Sequence, residues 1–504
     1  MKFSKLTLAI ATTIGASASF SAFAIDLYVD TKTKQIYAEP GRGRVLMGAF
    51  ERVEDKPVAT PAEATEIADV RQDLEMKTNE IKALQEHMEE AEKVKVIMDK
   101  KGLQVESKDK NFKFKLGGRL QADATWNSNG NGYTRPAQVA GDPPVLGAPV
   151  DANDGTEVRR GRMRFEGVFY KDWLTRLEAD FADNAVAVKD AFLQYNGFDF
   201  MSVTAGQQKQ NMSMELLESS NDQMFTERSL MNILAAPVDD RALGLNFQHF
   251  SENWLVQAGA FGDSVAASSG TNVDEGWAIN SRVVFNPILE KTKLIHLGVS
   301  GNYRQPDGNK NVLAAKNLRF DYETTHMSNL NLIDKTIDNP NNISQLGLEA
   351  FGMLGPFSTG GEYMQMWIDQ GTPVSQQNPN NDLSLNGWYA EAAWTLTGES
   401  RKYKDGNFKY LEPANPFSLK NGTWGAVETA IRYSGADLND GSFKGGNIQN
   451  LTLAVNWYLN SNVRLMADWT RVMSLDNSPV STTATPGGSD PLTNSFWLRT
   501  QIAY

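Results

Sequence analysis

Hydrophobic and polar positions alternate with a period of two along most of the chain, most clearly between Leu451 and Tyr504. From Leu451 to Leu459 the odd positions are Leu451, Leu453, Val455, Trp457 and Leu459, with Thr452, Ala454, Asn456 and Tyr458 between them. After Asn460-Ser461-Asn462, Val463, Leu465, Ala467 and Trp469 alternate with Arg464, Met466, Asp468 and Thr470. The last segment sets Phe496, Leu498, Thr500, Ile502 and Tyr504 against Arg499 and Gln501. Successive strand side chains point to opposite faces, so each run predicts a strand with one apolar face. Charge opposite an aromatic-edged apolar face suits a wall between lipid and a watery lumen better than one between a core and bulk water.

The same period opens at Phe112, where Phe112, Phe114, Leu116, Leu120, Ala122, Ala124 and Trp126 alternate with Lys113, Lys115, Arg119, Gln121 and Asp123. Arg160, Arg162, Arg164 and Glu166 then alternate with Met163, Phe165 and Phe169, and Arg176, Glu178 and Asp180 with Leu177, Ala179 and Phe181. Segments near Val188, Ser202, Leu243, Trp254, Trp277, Ile295, Ile343, Phe357, Leu385 and Trp424 behave alike. With the last three runs they make about 16 strands of membrane-spanning length. The fold class predicted for residues 111–504 is therefore all-β, a 16-stranded antiparallel transmembrane β-barrel. Short turns at Asn253, Pro287 to Lys293, Gly355-Pro356 and Asn460 to Asn462 alternate with longer loops around 128–156, 211–240, 305–341, 370–383 and 473–494. Glu399 to Gly422 is long but falls on the short-turn side, and such a segment is expected to fold into the lumen.

Residues 1–24 have Lys2 and Lys5, a short apolar run and Ala22-Phe23-Ala24, the pattern of a signal peptide. Residues 25–58 predict a small β segment from Leu27-Tyr28-Val29, Gln35-Ile36-Tyr37 and Val45-Leu46-Met47. Over 60–101, Ile67, Val70, Leu74, Ile81, Leu84, Met88, Ala91 and Met98 step by three and four, with Lys77 and Lys95 interrupting. That spacing predicts a short periplasmic coiled coil that ties subunits together.

Composition narrows the function. Against 61 acidic residues stand 49 basic ones, a net −12 that becomes −14 once Lys2 and Lys5 are removed. An acidic exterior argues against nucleic acid as a partner and leaves the sign inside a pore open. Cysteine is absent, and no apolar run after the leader is long enough for a helical span. His87, His249, His296 and His326 are scattered without metal-ligand spacing, and no nucleophile motif or phosphate-cradling glycine loop occurs. Neither an enzyme nor a cofactor is expected.

The inward arginines carry the chemistry. Arg119, Arg160, Arg162, Arg164, Arg176, Arg282, Arg304, Arg432, Arg464 and Arg499 fall on the expected lumen face. A row of guanidinium groups passes an anion between exchangeable partners. The structural alternative is pairing with Glu166, Glu178, Asp180, Glu428 and Asp468.

Phe114 to Ala122 (FKLGGRLQA), Arg159-Arg160 with Phe165-Glu166-Gly167, Lys171-Asp172-Trp173, Thr226 to Leu230 (TERSL), Thr395 to Arg401 (TLTGESR) and Leu453 to Leu459 (LAVNWYL) resemble the phosphate-selective porins O and P. The resemblance spans Phe112 to Tyr504. It implies a trimeric outer-membrane channel of a Gram-negative bacterium, surrounded by outer-membrane lipid, in which an arginine ladder leads small anions such as phosphate to a central lysine site. Asn211 to Asp239, Arg304 to Asn341 and Glu399 to Gly422 would enter the lumen. The resemblance adds Arg159, Arg228, Arg401 and Lys404 to the candidate path. Two positions depart from the pattern: Asn221 follows Ser219-Ser220 where a lysine is expected, and Glu412 precedes Pro413 where another is expected. The expectation is a passive porin leaning to phosphate or other small anions. A general porin of weak or cation-favouring selectivity and a structural or adhesive surface barrel stand as alternatives.

Overall fold

The computed structural model describes residues 25–50, 61–91, 94–100, 102–129, 133–134, 149–150, 152–262, 275–306, 317–328, 330–338, 340–370, 382–482 and 493–504. The expected signal peptide, 1–24, lies outside them. The chain divides into two units, Met1–Glu89 and Glu90–Tyr504.

In the first unit Ile25–Asp30 pairs antiparallel with Ile36–Tyr37 and Arg44–Phe50, the small sheet expected from the sequence. A single helix, Pro61–Ala91, carries the seam residues Val70, Leu74, Ile81 and Leu84, all exposed. The side chains of Ile67, His87, Met88 and Ala91 lie outside the described residues. The helix is shorter than the 60–101 predicted. Val94–Asp99 forms a hairpin with Gly102–Ser107, which removes Met98 from the seam. Val94, Val96 and Ile97 favour extended backbone, and Gly102, at φ 92°, supplies the turn.

The second unit is the barrel. Its strands are β1 (Phe112–Asn129), β2 (Gly155–Phe169), β3 (Trp173–Asp180), β4 (Ala187–Tyr195), β5 (Ser202–Lys209), β6 (Arg241–Phe250), β7 (Trp254–Phe261) and β8 (Trp277–Leu289). They continue as β9 (Lys293–Gln305), β10 (Asn342–Leu354), β11 (Phe357–Asp369), β12 (Asp382–Thr395), β13 (Ala426–Asp440), β14 (Phe443–Tyr458), β15 (Val463–Asp476) and β16 (Thr493–Ala503). Each pairs antiparallel with the next, and β16 pairs with β1 from Thr493↔Asn129 to Ala503↔Arg119, which closes the ring. Below that seam β1 pairs instead with Gly102–Ser107. Reciprocal backbone hydrogen bonds of 2.9 and 3.0 Å between Gly118 and Tyr504 lock the handover. A Cβ on Gly117 would stand 2.7 Å from the Tyr504 carbonyl oxygen, so only glycine admits this approach.

The outward faces follow the predicted alternation. Leu453, Val455, Phe496, Leu498 and Ile502 are exposed, while Arg464, Asp468, Arg499 and Gln501 are buried. Aromatic pairs line the short-turn rim, among them Trp254 with Phe285 at 4.3 Å and Phe357 with Trp394 at 5.3 Å, as a belt at the lipid–water boundary requires.

The interior is not uniformly polar. Met364, Met366, Leu383 and Leu385, on the inner faces of β11 and β12, pack against Met212, Leu216, Leu230 and Leu234 of the 210–240 connection. Phe320, Leu332, Ile333 and Ile337, from the hairpin Leu318–Glu323/Asn331–Ile337, complete the same apolar cluster with Leu438, Ile448 and Leu475. Two inserted segments thus pack against the inner wall, and the upper parts of the inner faces of β11 and β12 are apolar where a simple porin pattern predicts charge, while Glu362 lower on β11 accepts from the backbone N–H groups of Met214 and Glu215. The third expected insertion, between β12 and β13, also enters. Its hairpin Lys402–Lys404/Asn407–Lys409 reaches Arg282, which donates to the Gly406 carbonyl at 3.0 Å.

Candidate functional site

What the inserted segments leave open is a polar cavity of about 850 Å³ along β1 to β7. Its lining reaches from Asp183, between β3 and β4 on the long-loop side, to Asp405 and Lys409 on the segment entering from the other side. Eleven arginines and lysines line it against seven aspartates and glutamates, although the chain as a whole is acidic. A second cavity of about 430 Å³ lies between the inserted loop and β13 to β16. Arg159, Arg160 and Arg228 line both, so they stand where the two spaces meet.

A β-bulge puts two consecutive arginines there. Gln121 pairs with Arg160 and Ala122 with Val158, which leaves Arg159 as the extra residue. An extra residue breaks strict alternation and turns neighbouring side chains the same way. Arg159, Arg160 and Arg499 all contact Glu227 of the inserted loop, at 3.0, 3.3 and 2.9 Å. Burial raises the Glu227 carboxyl, but these guanidinium groups hold it well below the usual range.

The predicted path residues divide into three groups. Arg119, Arg159, Arg160, Arg162, Arg164, Arg176 and Arg228 line the passage. Most are paired: Arg119 and Arg162 with Glu178 at 3.1 and 3.2 Å, Arg162 also with Asp180 at 2.6 Å, and Arg176 with Glu166 at 2.7 Å. Arg164 is 3.8 Å from Glu166. Arg228 differs, since its guanidinium donates to the backbone carbonyls of Glu215, Leu216 and Glu218.

Arg282 and Arg401 are anchors rather than path residues. Arg282 is fully buried in a pair with Glu349 at 2.7 Å. Arg401 is buried among Glu218, the Asp222 carbonyl and the ring of Phe408. Lys404 is largely exposed beside Asp405 and does not line the cavity. Its hairpin neighbour Lys409 does. Arg304, Arg432, Arg464 and Arg499, also expected on the lumen face, hold the inserted loop through Gln210, Glu215, the Gln223 carbonyl and Glu227 respectively.

Sequence reasoning missed Lys189, Lys209, Arg241 and Lys409 as cavity residues. Lys209 donates to the carbonyls of Leu216 and Glu218 at 2.5 and 2.9 Å, so it shares these partners with Arg228. Burial pushes the Glu218 carboxyl itself up to about 7, against the pull of Arg401. Strand parity carries no signal for Lys209: Thr204 and Gln208 line the cavity, and position 209 shares the parity of Val203 and the exposed Ala205. Asn221 lines the passage in place of a cation, whereas Glu412 binds Lys100 and Lys402 at 2.7 and 2.8 Å away from it.

The family described as Phosphate-selective porin O and P matches residues 114–501. The chain belongs to this family. It is accordingly a porin of the Gram-negative outer membrane, from a family of channel proteins. Porin O of Pseudomonas aeruginosa is 26% identical over 405 residues, 75% of this chain and 86% of that protein. An uncharacterized protein of Caulobacter vibrioides is 29% identical over 311 residues, 60% of each chain. Among solved structures, an anion-selective porin from Comamonas acidovorans aligns at a TM-score of 0.45 with 12% identity, covering 78% of this chain and 100% of that one.

Proposed function

We propose that the passage conducts small anions, phosphate among them, by passive diffusion and without a covalent step. The observation that carries this reading is the excess of cations around a continuous polar cavity in a protein of net negative charge. Wall arginines held by carboxylates keep the cavity's shape, and Arg228, whose guanidinium is held by backbone carbonyls, supplies net positive charge. Each contact is one of several, so an anion exchanges partners rather than being trapped. The name of the relative Porin O and the family description, with its phosphate selectivity, agree with this assignment. The experiment is the zero-current potential of purified channels in a salt gradient, repeated with phosphate added to test for block of chloride current. Anion selectivity with block is expected; cation selectivity, or chloride current untouched by phosphate, would overturn the reading.

The same protein is proposed to be a homotrimer exported by residues 1–24. The helix Pro61–Ala91 offers Val70, Leu74, Ile81 and Leu84 as an uncovered seam for other copies. Strands β3, β5 and β7 have eight residues each, short of the about 9 to 11 that a tilted strand needs, so this wall suits coverage by a neighbouring subunit. Deleting 60–91 is expected to lower the melting temperature of the oligomer. An unchanged melting curve would remove the helix from assembly.

A further inference from the structure

We infer that Glu157, Asp183 and His326 form a binding site for a zinc-class divalent cation at the long-loop mouth of the passage. The three come from different elements: Glu157 from the start of β2, Asp183 from the turn between β3 and β4, and His326 from the tip of the hairpin that follows Leu318–Glu323. Their ligand atoms all lie within 4.8 Å of one another. Two ligands on a tetrahedral zinc ion stand about 3.4 Å apart, given bonds near 2.1 Å. Asp183 and His326 are both exposed, so modest side-chain rotation closes that gap.

A second observation points to a ligand. The Glu157 side chain is nine-tenths buried. Its Oε2 meets His326 Nδ1 at 2.6 Å, while its Oε1 is buried and has no hydrogen-bond donor among the described residues. Leaving a buried carboxylate oxygen unpartnered is costly, and a cation between the three groups would satisfy it. The donor set selects the metal. One imidazole and two carboxylates, with a fourth position for water, suit zinc, whereas magnesium and calcium take shells of six or more oxygens.

The site's place gives it a consequence. Asp183 lines the large passage and His326 the smaller cavity, where Arg159 lines both. A bound dication would tie the hairpin tip to the wall at this junction.

The test is titration of zinc chloride into the purified full-length protein, by calorimetry, with excess magnesium chloride present throughout. One zinc ion per chain is expected at this site. His326→Ala and Asp183→Asn should each weaken it about tenfold or more, since even second-shell changes cost that much. Circular dichroism confirms that each variant is folded, and Asp183→Asn carries the test where His326→Ala fails to fold. Equal zinc affinity in wild type and a folded variant overturns the site, as does displacement of zinc by magnesium.

Discussion

Exchanging Arg228 for glutamine is expected to lower the anion-over-cation permeability ratio about tenfold. Its charge acts on a passing ion with about 1 to 3 kcal/mol at contact distance, before salt screening, for a dielectric between bulk water and a protein surface. A loss of about 1.4 kcal/mol already corresponds to a factor of ten. Arg228 is the cation to remove because its hydrogen-bond partners are backbone carbonyls, not carboxylates. The control is Arg162→Gln combined with Asp180→Asn. That double variant deletes an ion pair of 2.6 Å in the same wall and leaves the local charge unchanged. Its permeability ratio should stay near that of the wild type. Zero-current potentials in a salt gradient decide, and an unchanged ratio in the Arg228 variant would place selectivity elsewhere in the passage.

The barrel was legible in the sequence because lipid constrains one face of every strand. Leu453, Val455, Leu498 and Ile502 had to be apolar, and the period of two then marked each of the sixteen strands. The inner faces carry no such uniform constraint. Met364, Met366, Leu383 and Leu385 point inward and are apolar because inserted segments cover them, and nothing local to β11 or β12 announces that partner. The same limit applies to the arginines. Parity placed Arg282 and Arg162 on the inner face alike, but whether such a group faces water or a buried hairpin depends on which loop folds back over it. Arg159 was reached through the family motif, since strict alternation would have turned it outward; the bulge opposite Gln121 and Ala122 explains why it belongs inside. The helix end was misplaced for a related reason: Val94 to Met98 fits both a seam spacing and a strand, and pairing with Gly102–Ser107, itself joined to β1, decides.

Arg282→Met is expected to destabilise the barrel by about 3 to 5 kcal/mol, the usual cost of leaving one member of a buried ion pair alone. Arg282 and Glu349 are both fully buried, joined at 2.8 and 2.7 Å, and Glu349 also meets His296 at 2.9 Å. Methionine fills the volume but leaves the Glu349 carboxylate with His296 alone and takes the Arg282 donor from the Gly406 carbonyl. The second effect follows from geometry. Gly406 is the turn of the hairpin that brings Asp405, Asn407 and Lys409 into the passage, so losing its anchor releases that hairpin. Single-channel conductance should rise and anion selectivity fall, because the passage widens as Lys409 leaves it. Gly406→Ala separates the two effects. It puts an L side chain at a backbone φ of 74° and a Cβ 2.6 Å from a Leu255 methyl and 2.9 Å from an Arg282 guanidinium nitrogen, which strains the turn and loosens the hairpin while the buried charges remain. Gly406→Ala should therefore reproduce the conductance change with a smaller loss of stability, read by denaturant unfolding in detergent. If Arg282→Met loses stability but neither variant changes conductance, the hairpin anchors the wall without narrowing the pore.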